Sequence, residues 1–133
     1  MTAPVLNLQL HEGRKSYQAG ETLSGEYRVA SCDLGDLRAI EISVLWYTEG
    51  KGDEDLAVHY FERLSLDDSQ MVDLERPRRF STVLPNSPLS YEGVIVKICW
   101  CVRARLFLAR GREVVEERLF QLGDVPAARA VLP

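Results

Sequence analysis

The chain has 133 residues, and its shares of 46% hydrophobic and 27% charged positions are those of an ordinary globular domain. A formal charge of −4 argues against nucleic-acid binding and against a polybasic membrane anchor. No run approaches the roughly 18 consecutive apolar residues of a membrane span, and the first residues do not resemble a signal peptide. We therefore expect one hydrophobic core, a cytoplasmic location and at most peripheral membrane contact.

Apolar and polar residues alternate through most of the chain, which is the pattern of half-buried β-strands. The first three predicted strands are Val5 to His11, Thr22 to Ser31 and Leu37 to Tyr47. On the third strand, the side expected to face the core carries four large apolar residues: Ile40, Ile42, Val44 and Trp46.

Four further strands are predicted in the second half of the chain. Leu56 to Leu64 has the weakest pattern, and an alternative is that it forms an edge strand able to accept a strand from a partner. Arg78 to Leu84 is ended by the prolines that follow it. Val94 to Leu108 is the strongest segment, because every even position in it is apolar. A tight turn then returns the chain into Glu113 to Leu122, which predicts a hairpin.

Seven strands in a chain of this length predict an all-β fold: an immunoglobulin-like antiparallel β-sandwich of about seven or eight strands. The sandwich is expected over residues 1–123, with residues 124–133 as a C-terminal tail. Trp46 is expected to be the aromatic buried between the sheets, and Tyr91 is placed where a tyrosine corner forms. Asp124 is a possible N-cap of a short helix in the tail.

Several segments resemble motifs of the arrestin-like superfamily. One is Ser16-Tyr-Gln-Ala-Gly-Glu-Thr-Leu-Ser-Gly-Glu-Tyr-Arg-Val, which is similar to that superfamily's Gly-Asp or Gly-Glu turn followed by a strand with an internal glycine. The others are Arg79-Phe-Ser-Thr-Val-Leu-Pro, Pro88-Leu-Ser-Tyr-Glu-Gly and Val96-Lys-Ile-Cys-Trp-Cys-Val-Arg-Ala, which look like its consecutive strand, corner and strand. The likeness covers most of positions 5 to 122.

The resemblance extends to the arrestin-fold subunit of the retromer coat and to bacterial sporulation-control proteins. It implies a single arrestin-type lobe, where members usually carry two, and a non-catalytic binding or scaffold role. The matched residues describe the scaffold: Gly93 is expected to give the corner a positive φ, and Tyr91 to hold it. No binding residue carries over from the family.

The sequence holds three cysteines, Cys32, Cys99 and Cys101, and the odd number predicts free thiols. Cys99 and Cys101 share one face of a strand, at a separation that disfavours a mutual disulfide. A zinc site combining them with His59 is an alternative, but Cys-x-Cys lacks the Cys-x-x-Cys turn typical of zinc sites.

The loop from Thr48 to Asp55 is rich in glycine and charge, so we expect it to be exposed. Its carboxylates could bind calcium, but they lack the ligand order of a calcium loop; the residues are Glu49, Asp53, Glu54 and Asp55. We expect no metal and no cofactor. The common hydrolase, metalloprotease and phosphate-loop motifs are missing and the chain has two histidines, so it is not predicted to be an enzyme.

Three basic residues share one face of the long strand: Lys97, Arg103 and Arg105. One hypothesis is that they bind phosphorylated tails or anionic headgroups, within the membrane-peripheral trafficking or coat-like assembly that the retromer likeness suggests. The alternative is that they pair across strands with Glu41 and Glu26.

The same outer face carries apolar residues that would form one patch if the third and sixth strands are neighbours: Leu45, Tyr47, Ile95, Cys99, Cys101 and Phe107. Monomers rarely expose large apolar patches. The patch is therefore a candidate docking surface for an unidentified protein partner or for a second copy in a homodimer. The alternative is that the tail covers it through Val125, Ala128, Val131 and Leu132.

Overall fold

The computed structural model describes residues 4–30, 34–52, 54–65 and 74–128. Cys32, Asp53, Val131 and Leu132 lie outside these residues, so the expectations about them are not addressed. The described residues form nine strands: β1 (Val5–Leu10), β2 (Ser16–Tyr17), β3 (Thr22–Ala30), β4 (Leu37–Gly50), β5 (Leu56–Ser65), β6 (Arg78–Val83), β7 (Tyr91–Glu92), β8 (Val96–Leu108) and β9 (Glu113–Leu122).

The strands form two sheets, so the predicted all-β sandwich is confirmed. The smaller sheet has the order β1-β3-β6, and the larger has the order β2-β9-β8-β4-β5, with β7 paired to the start of β8. All pairs are antiparallel except the short pairing of β2 with β9. The third and sixth predicted strands are neighbours, because β4 pairs with β8 over its whole length.

The core lies between the sheets and contains the even-numbered residues from 40 to 44 of β4 and from 100 to 108 of β8, as period-two alternation predicts. The expectation that Trp46 is the buried aromatic is wrong. Trp100 is the buried tryptophan, at 1% exposure, whereas Trp46 is only partly buried. The reason is position: Trp100 lies on a central strand beside Phe120, while Trp46 lies next to the edge strand, opposite the small Ala57.

Two of the arrestin-like motifs contact each other at the end of the smaller sheet. Gly25 lies under the ring of Phe80, and a Cβ at this glycine would come within 2.7 Å of the Phe80 Cζ atom. The Gly20-Glu21 turn exchanges backbone hydrogen bonds with Leu84, at 3.1 and 2.9 Å. The motif residues therefore fix how β3 and β6 meet.

The corner before β8 is held differently from the expectation. The φ of Gly93 is not positive; the residue is a glycine because a Cβ would lie 2.5 Å from the Val96 carbonyl oxygen and 2.6 Å from the Tyr91 ring. Tyr91 is exposed, and Ser90 holds the corner instead. Its backbone N–H donates to the Leu122 carbonyl at 2.8 Å, and its Oγ accepts from the Leu122 N–H at 2.7 Å.

The sixth predicted strand begins two residues late. The Gly93 N–H donates to the Val96 carbonyl at 2.9 Å, so residues 93–96 form the turn between β7 and β8. Val94 and Ile95 lie in that turn, 62% and 69% exposed, and not on the strand. Because both residues are apolar, the alternation in the sequence continued across the turn, and the strand was predicted to begin at Val94.

Candidate functional site

One face of the larger sheet packs on the core, and the other points away from it; we call the second the outer face. Residues directly opposite each other in an antiparallel pair lie on the same face. The register of β5, β4, β8 and β9 therefore arranges the outer side chains in rows that run across the sheet. These rows differ sharply in chemistry between the two halves of the face.

Two rows at one end are apolar. In the first, Tyr47 of β4 lies between Leu56 of β5 and Cys99 of β8. The second row crosses four strands with the residues Val58, Leu45, Cys101 and Leu119. With the adjacent Phe61 these rows make what we call the apolar half: Leu45, Tyr47, Leu56, Val58, Phe61, Cys99, Cys101 and Leu119.

The apolar half is closed at its centre and open at its flanks. Leu45 and Cys101 are buried, at 2% and 0% exposure. The flanking residues are all more than half exposed, and they comprise Leu56, Val58 and Phe61 on β5 and Leu119 on β9. Large apolar side chains thus remain in contact with solvent on both sides of a buried strip.

Burial also suppresses ionisation within the apolar half. It raises the pKa of the Cys101 thiol to about 12, and it raises the pKa of the Cys99 thiol. Burial together with the nearby thiols raises the pKa of Tyr47 to about 12. Because the thiolate is the nucleophile and the metal ligand, these two cysteines are poorly suited to either role.

A bulge in β5 places His59 away from the two cysteines. The register against β4 shifts between Val44 and Leu45, which leaves His59 as the extra residue of β5. The His59 ring lies 6.2 Å from the Trp100 ring, and its Nε2–H donates to the Val83 carbonyl of β6 at 2.8 Å. The His59 imidazole and the thiols of Cys99 and Cys101 therefore lie on opposite faces of the sheet, and they do not form a zinc site together.

The other end of the outer face is charged, and its ions are paired. Arg103 contacts Glu117 at 3.0 Å, and Arg105 contacts Glu113 at 3.0 Å. Arg63 of β5 pairs with Glu41 of β4. We call these six residues the charged half.

The three anion-site candidates, Lys97, Arg103 and Arg105, are therefore paired with carboxylates in this structure. Their partners are not Glu41 and Glu26, the two carboxylates expected from the sequence. Lys97 lies near Glu92 of β7, at 3.5 Å. Glu41 pairs with Arg63, and Glu26 lies on β3 in the other sheet. The partners of Arg103 and Arg105 lie on β9, a strand that sequence reasoning did not align with β8 residue by residue.

The six residues of the predicted patch are not all together. Leu45, Tyr47, Cys99 and Cys101 are adjacent, whereas Ile95 lies in the turn before β8. Phe107 lies at the far end of the outer face, where two guanidinium groups cover its ring, with Arg63 at 5.3 Å and Arg105 at 5.1 Å from the centroid. The predicted patch did not include the four exposed flanking residues, because assigning them to the same face requires the register.

The described part of the tail follows β7 at the rim of the larger sheet. The Ala128 N–H donates to the Glu92 carbonyl at 2.8 Å, and Asp124 accepts a hydrogen bond from the Gln18 side chain at 3.1 Å. No helix forms between Asp124 and Ala128, so the possible N-cap role of Asp124 is not realised there. A groove of about 520 Å³ lies between Val125, Cys99 and Leu119, next to the apolar half.

Within the described ranges, no cluster of three or more histidine, cysteine or acidic side chains is arranged to hold a metal ion. The helices found in that part of the chain are too short and too polar to cross a bilayer.

Comparison with solved structures shows that the fold is arrestin-like. Over 94% of its length the chain superposes on the sporulation control protein Spo0M from Bacillus subtilis, with a TM-score of 0.66 and 16% sequence identity. The chain spans about half of that protein's chain, 51%. No protein-family model and no curated protein matches the sequence. The resemblance inferred from the motifs is thus confirmed at the level of the fold.

Proposed function

We propose that this arrestin-like sandwich is a non-catalytic protein-binding module, an adaptor or scaffold of the cytoplasm, and that it binds its partner through the apolar half of the outer face. One observation carries the proposal: Leu56, Val58, Phe61 and Leu119 are each more than half exposed on one face, around a buried strip. Contiguous exposed apolar surface is characteristic of protein interaction sites.

A non-catalytic role is supported by the chemistry of the same face. The thiols of Cys99 and Cys101 have raised pKa values, and the His59 imidazole lies on the other side of the sheet. A nucleophile and a base within hydrogen-bond reach of each other are therefore not found there. Fold likeness alone does not assign a function, so the proposal rests on the surface and not on the neighbour's role.

The alternative, a membrane-peripheral subunit that binds anionic headgroups or phosphorylated tails, has less support. Arg103, Arg105 and Lys97 each have a carboxylate within 3.5 Å. An anion would have to displace these carboxylates, which carry the same sign of charge. Sedimentation with vesicles of anionic lipid tests this alternative directly, and binding abolished by Arg103→Glu would revive it.

The proposal is tested by affinity capture of tagged protein from the host's own lysate. Three baits are compared: the unchanged chain, Leu119→Lys in the apolar half, and Arg103→Glu in the charged half. We expect specific partners to be lost with Leu119→Lys and kept with Arg103→Glu, because a charge at the exposed apolar flank must be desolvated on docking. Partners retained by Leu119→Lys would contradict the proposal.

A further inference from the structure

We propose that the turn between β7 and β8 is a second docking element, whose two apolar side chains, Val94 and Ile95, insert into an apolar pocket bordered by lysine or arginine on the partner protein. The inference rests on the proposed function, because the turn lies at the end of the larger sheet next to the apolar half and contacts the same partner. It adds the shape and the charge that the partner must present.

Val94 and Ile95 are the most exposed large apolar residues that the structure describes, at 62% and 69%. They are adjacent in the chain, and together we call them the apolar tip. Surface turns usually carry Gly, Asn, Asp, Ser or Pro, because these residues favour the turn backbone. Two consecutive β-branched apolar residues in a turn are therefore not explained by the needs of the fold, and such positions are expected to serve function.

The backbone beneath the apolar tip is held from two sides. Within the turn, the Gly93 N–H donates to the Val96 carbonyl at 2.9 Å. From the loop between β4 and β5, the Lys51 N–H donates to the Ile95 carbonyl at 3.3 Å. Gly50 permits this approach, because a Cβ at that position would collide with the Ile95 carbonyl oxygen. An element that is fixed before binding loses less conformational entropy on docking than a mobile one does.

The surroundings of the apolar tip set the charge of the partner. The hydrogen bond from Lys51 places the loop between β4 and β5 beside the turn. Among the described residues, this loop and the strand ends next to the turn carry four carboxylates and two ammonium groups: Glu49, Glu54, Asp55, Glu92, Lys51 and Lys97. The excess of negative charge is complementary to a basic pocket rim. It disfavours an anionic bilayer, whose surface carries the same sign of charge.

The apolar tip is small, so it acts together with the apolar half. Two aliphatic side chains do not bury the roughly 800 Å² per partner that a stable interface requires. Ile95 precedes Cys99 by four residues, which is at most about 13 Å along an extended chain, so one partner surface reaches both. The row of side chains between them is charged and consists of Glu49, Lys97 and Glu92.

Replacing both residues of the apolar tip separates a docking role from a structural one. The double variant Val94→Ser/Ile95→Ser gives the turn residues that favour it. We therefore expect its midpoint of urea denaturation to equal or exceed that of the unchanged chain. A clearly lower midpoint would show that the two side chains are needed for the fold, and it would overturn the proposal.

Binding is measured by calorimetric titration with the purified partner that the unchanged chain captures. The dissociation constant should rise at least about tenfold for the double variant. Val83→Ser is the matched control and should leave it unchanged, since Val83 is similarly exposed, at 59%, but lies on β6 of the smaller sheet. An unchanged dissociation constant for the double variant, or a chain that captures no protein, would contradict the proposal.

The chemistry of the pocket is tested with the same pair of proteins. Glu54→Lys, beside the apolar tip, should weaken binding more than Glu26→Lys on the smaller sheet, and the difference should shrink between 0.05 and 0.5 M sodium chloride. Equal effects of the two variants would refute the basic rim. Sedimentation with phosphatidylcholine vesicles, with and without phosphatidylserine, tests the bilayer as the occupant. Vesicle binding that is lost in the double variant would overturn the proposal in favour of a membrane.

The two proposals fail separately. If Leu119→Lys abolishes binding while the double variant binds as tightly as the unchanged chain, the turn is not a docking element and the role of the apolar half stands. If the double variant weakens binding while Leu119→Lys leaves it unchanged, the turn is the docking element and the proposed role of the apolar half is wrong.

Discussion

The two halves of the outer face lie on the same four strands and differ in what their side chains do for one another. In the charged half, each guanidinium group has a carboxylate across the strand gap, and two of them also cover the ring of Phe107. In the apolar half, Leu45 and Cys101 are buried while their flanking neighbours face solvent. One half is satisfied within the chain, and the other leaves apolar surface available to a partner.

The largest expected effect comes from truncating a leucine at the centre of the apolar half, and truncating a leucine at its flank is the matched comparison. Leu45→Ala should lower the free energy of unfolding by about 2–4 kcal/mol, since it removes packed side-chain atoms from a site that is 2% exposed. Leu119→Ala, at 61% exposure, should change it by less than about 0.5 kcal/mol. Urea denaturation measures both, and equal losses would show that the flank is packed as well.

An effect of comparable size is expected from alkaline pH, and the buried thiol of the apolar half contributes to it. Burial raises the pKa of Cys101 from 9.0 to about 12, so above pH 9 the unfolded chain binds fewer protons than the folded one. The free energy of unfolding should therefore fall as pH rises from about 9 to 12, by about 1.4 kcal/mol per pH unit for this group. Tyr47, with its pKa raised to about 12, acts in the same direction.

The alkaline contribution of the thiol is isolated by Cys101→Val, which removes the titrating group and keeps a similar volume. Urea denaturation between pH 8 and 10.5 should give a shallower pH dependence for this variant than for the unchanged chain. Identical slopes would mean that the Cys101 thiol ionises as readily in the folded chain as in the unfolded one.

The smallest effect is expected in the charged half. Arg105→Gln removes the pair with Glu113, both about 40% exposed, and should lower the free energy of unfolding by less than about 1 kcal/mol. Because exposed ion pairs are screened by salt, the difference from the unchanged chain should shrink between 0.05 and 0.5 M sodium chloride. A loss that is large and insensitive to salt would indicate that Arg105 acts mainly by packing on Phe107.

Period-two alternation was sufficient to predict the all-β fold, because burial of one face of a strand requires apolar residues at every second position. Val96 to Leu108 and Glu113 to Leu122 were located almost to the residue for this reason. The corner at Gly93 was placed correctly but explained incorrectly, because the close approach of the Val96 carbonyl depends on the backbone geometry of the turn. No periodicity distinguishes it from a positive φ.

The candidate site was harder to predict from the sequence than the fold, because the rows of side chains on the outer face depend on how the strands align with each other. Glu113 and Glu117 became partners of the strand β8 arginines only through the β8–β9 register. Leu56, Val58 and Phe61 were left out of the predicted patch because the bulge at His59 interrupts the alternation, so β5 gave the weakest pattern.

The most direct test of the account is site-specific photo-crosslinking in the living host. A photoreactive side chain is placed at Leu119 in the apolar half, or at Arg103 in the charged half as the matched position on the same face. The account predicts cross-links from position 119 to one or a few proteins and few from position 103. Cross-links that form from position 103 and are missing from position 119 would contradict it.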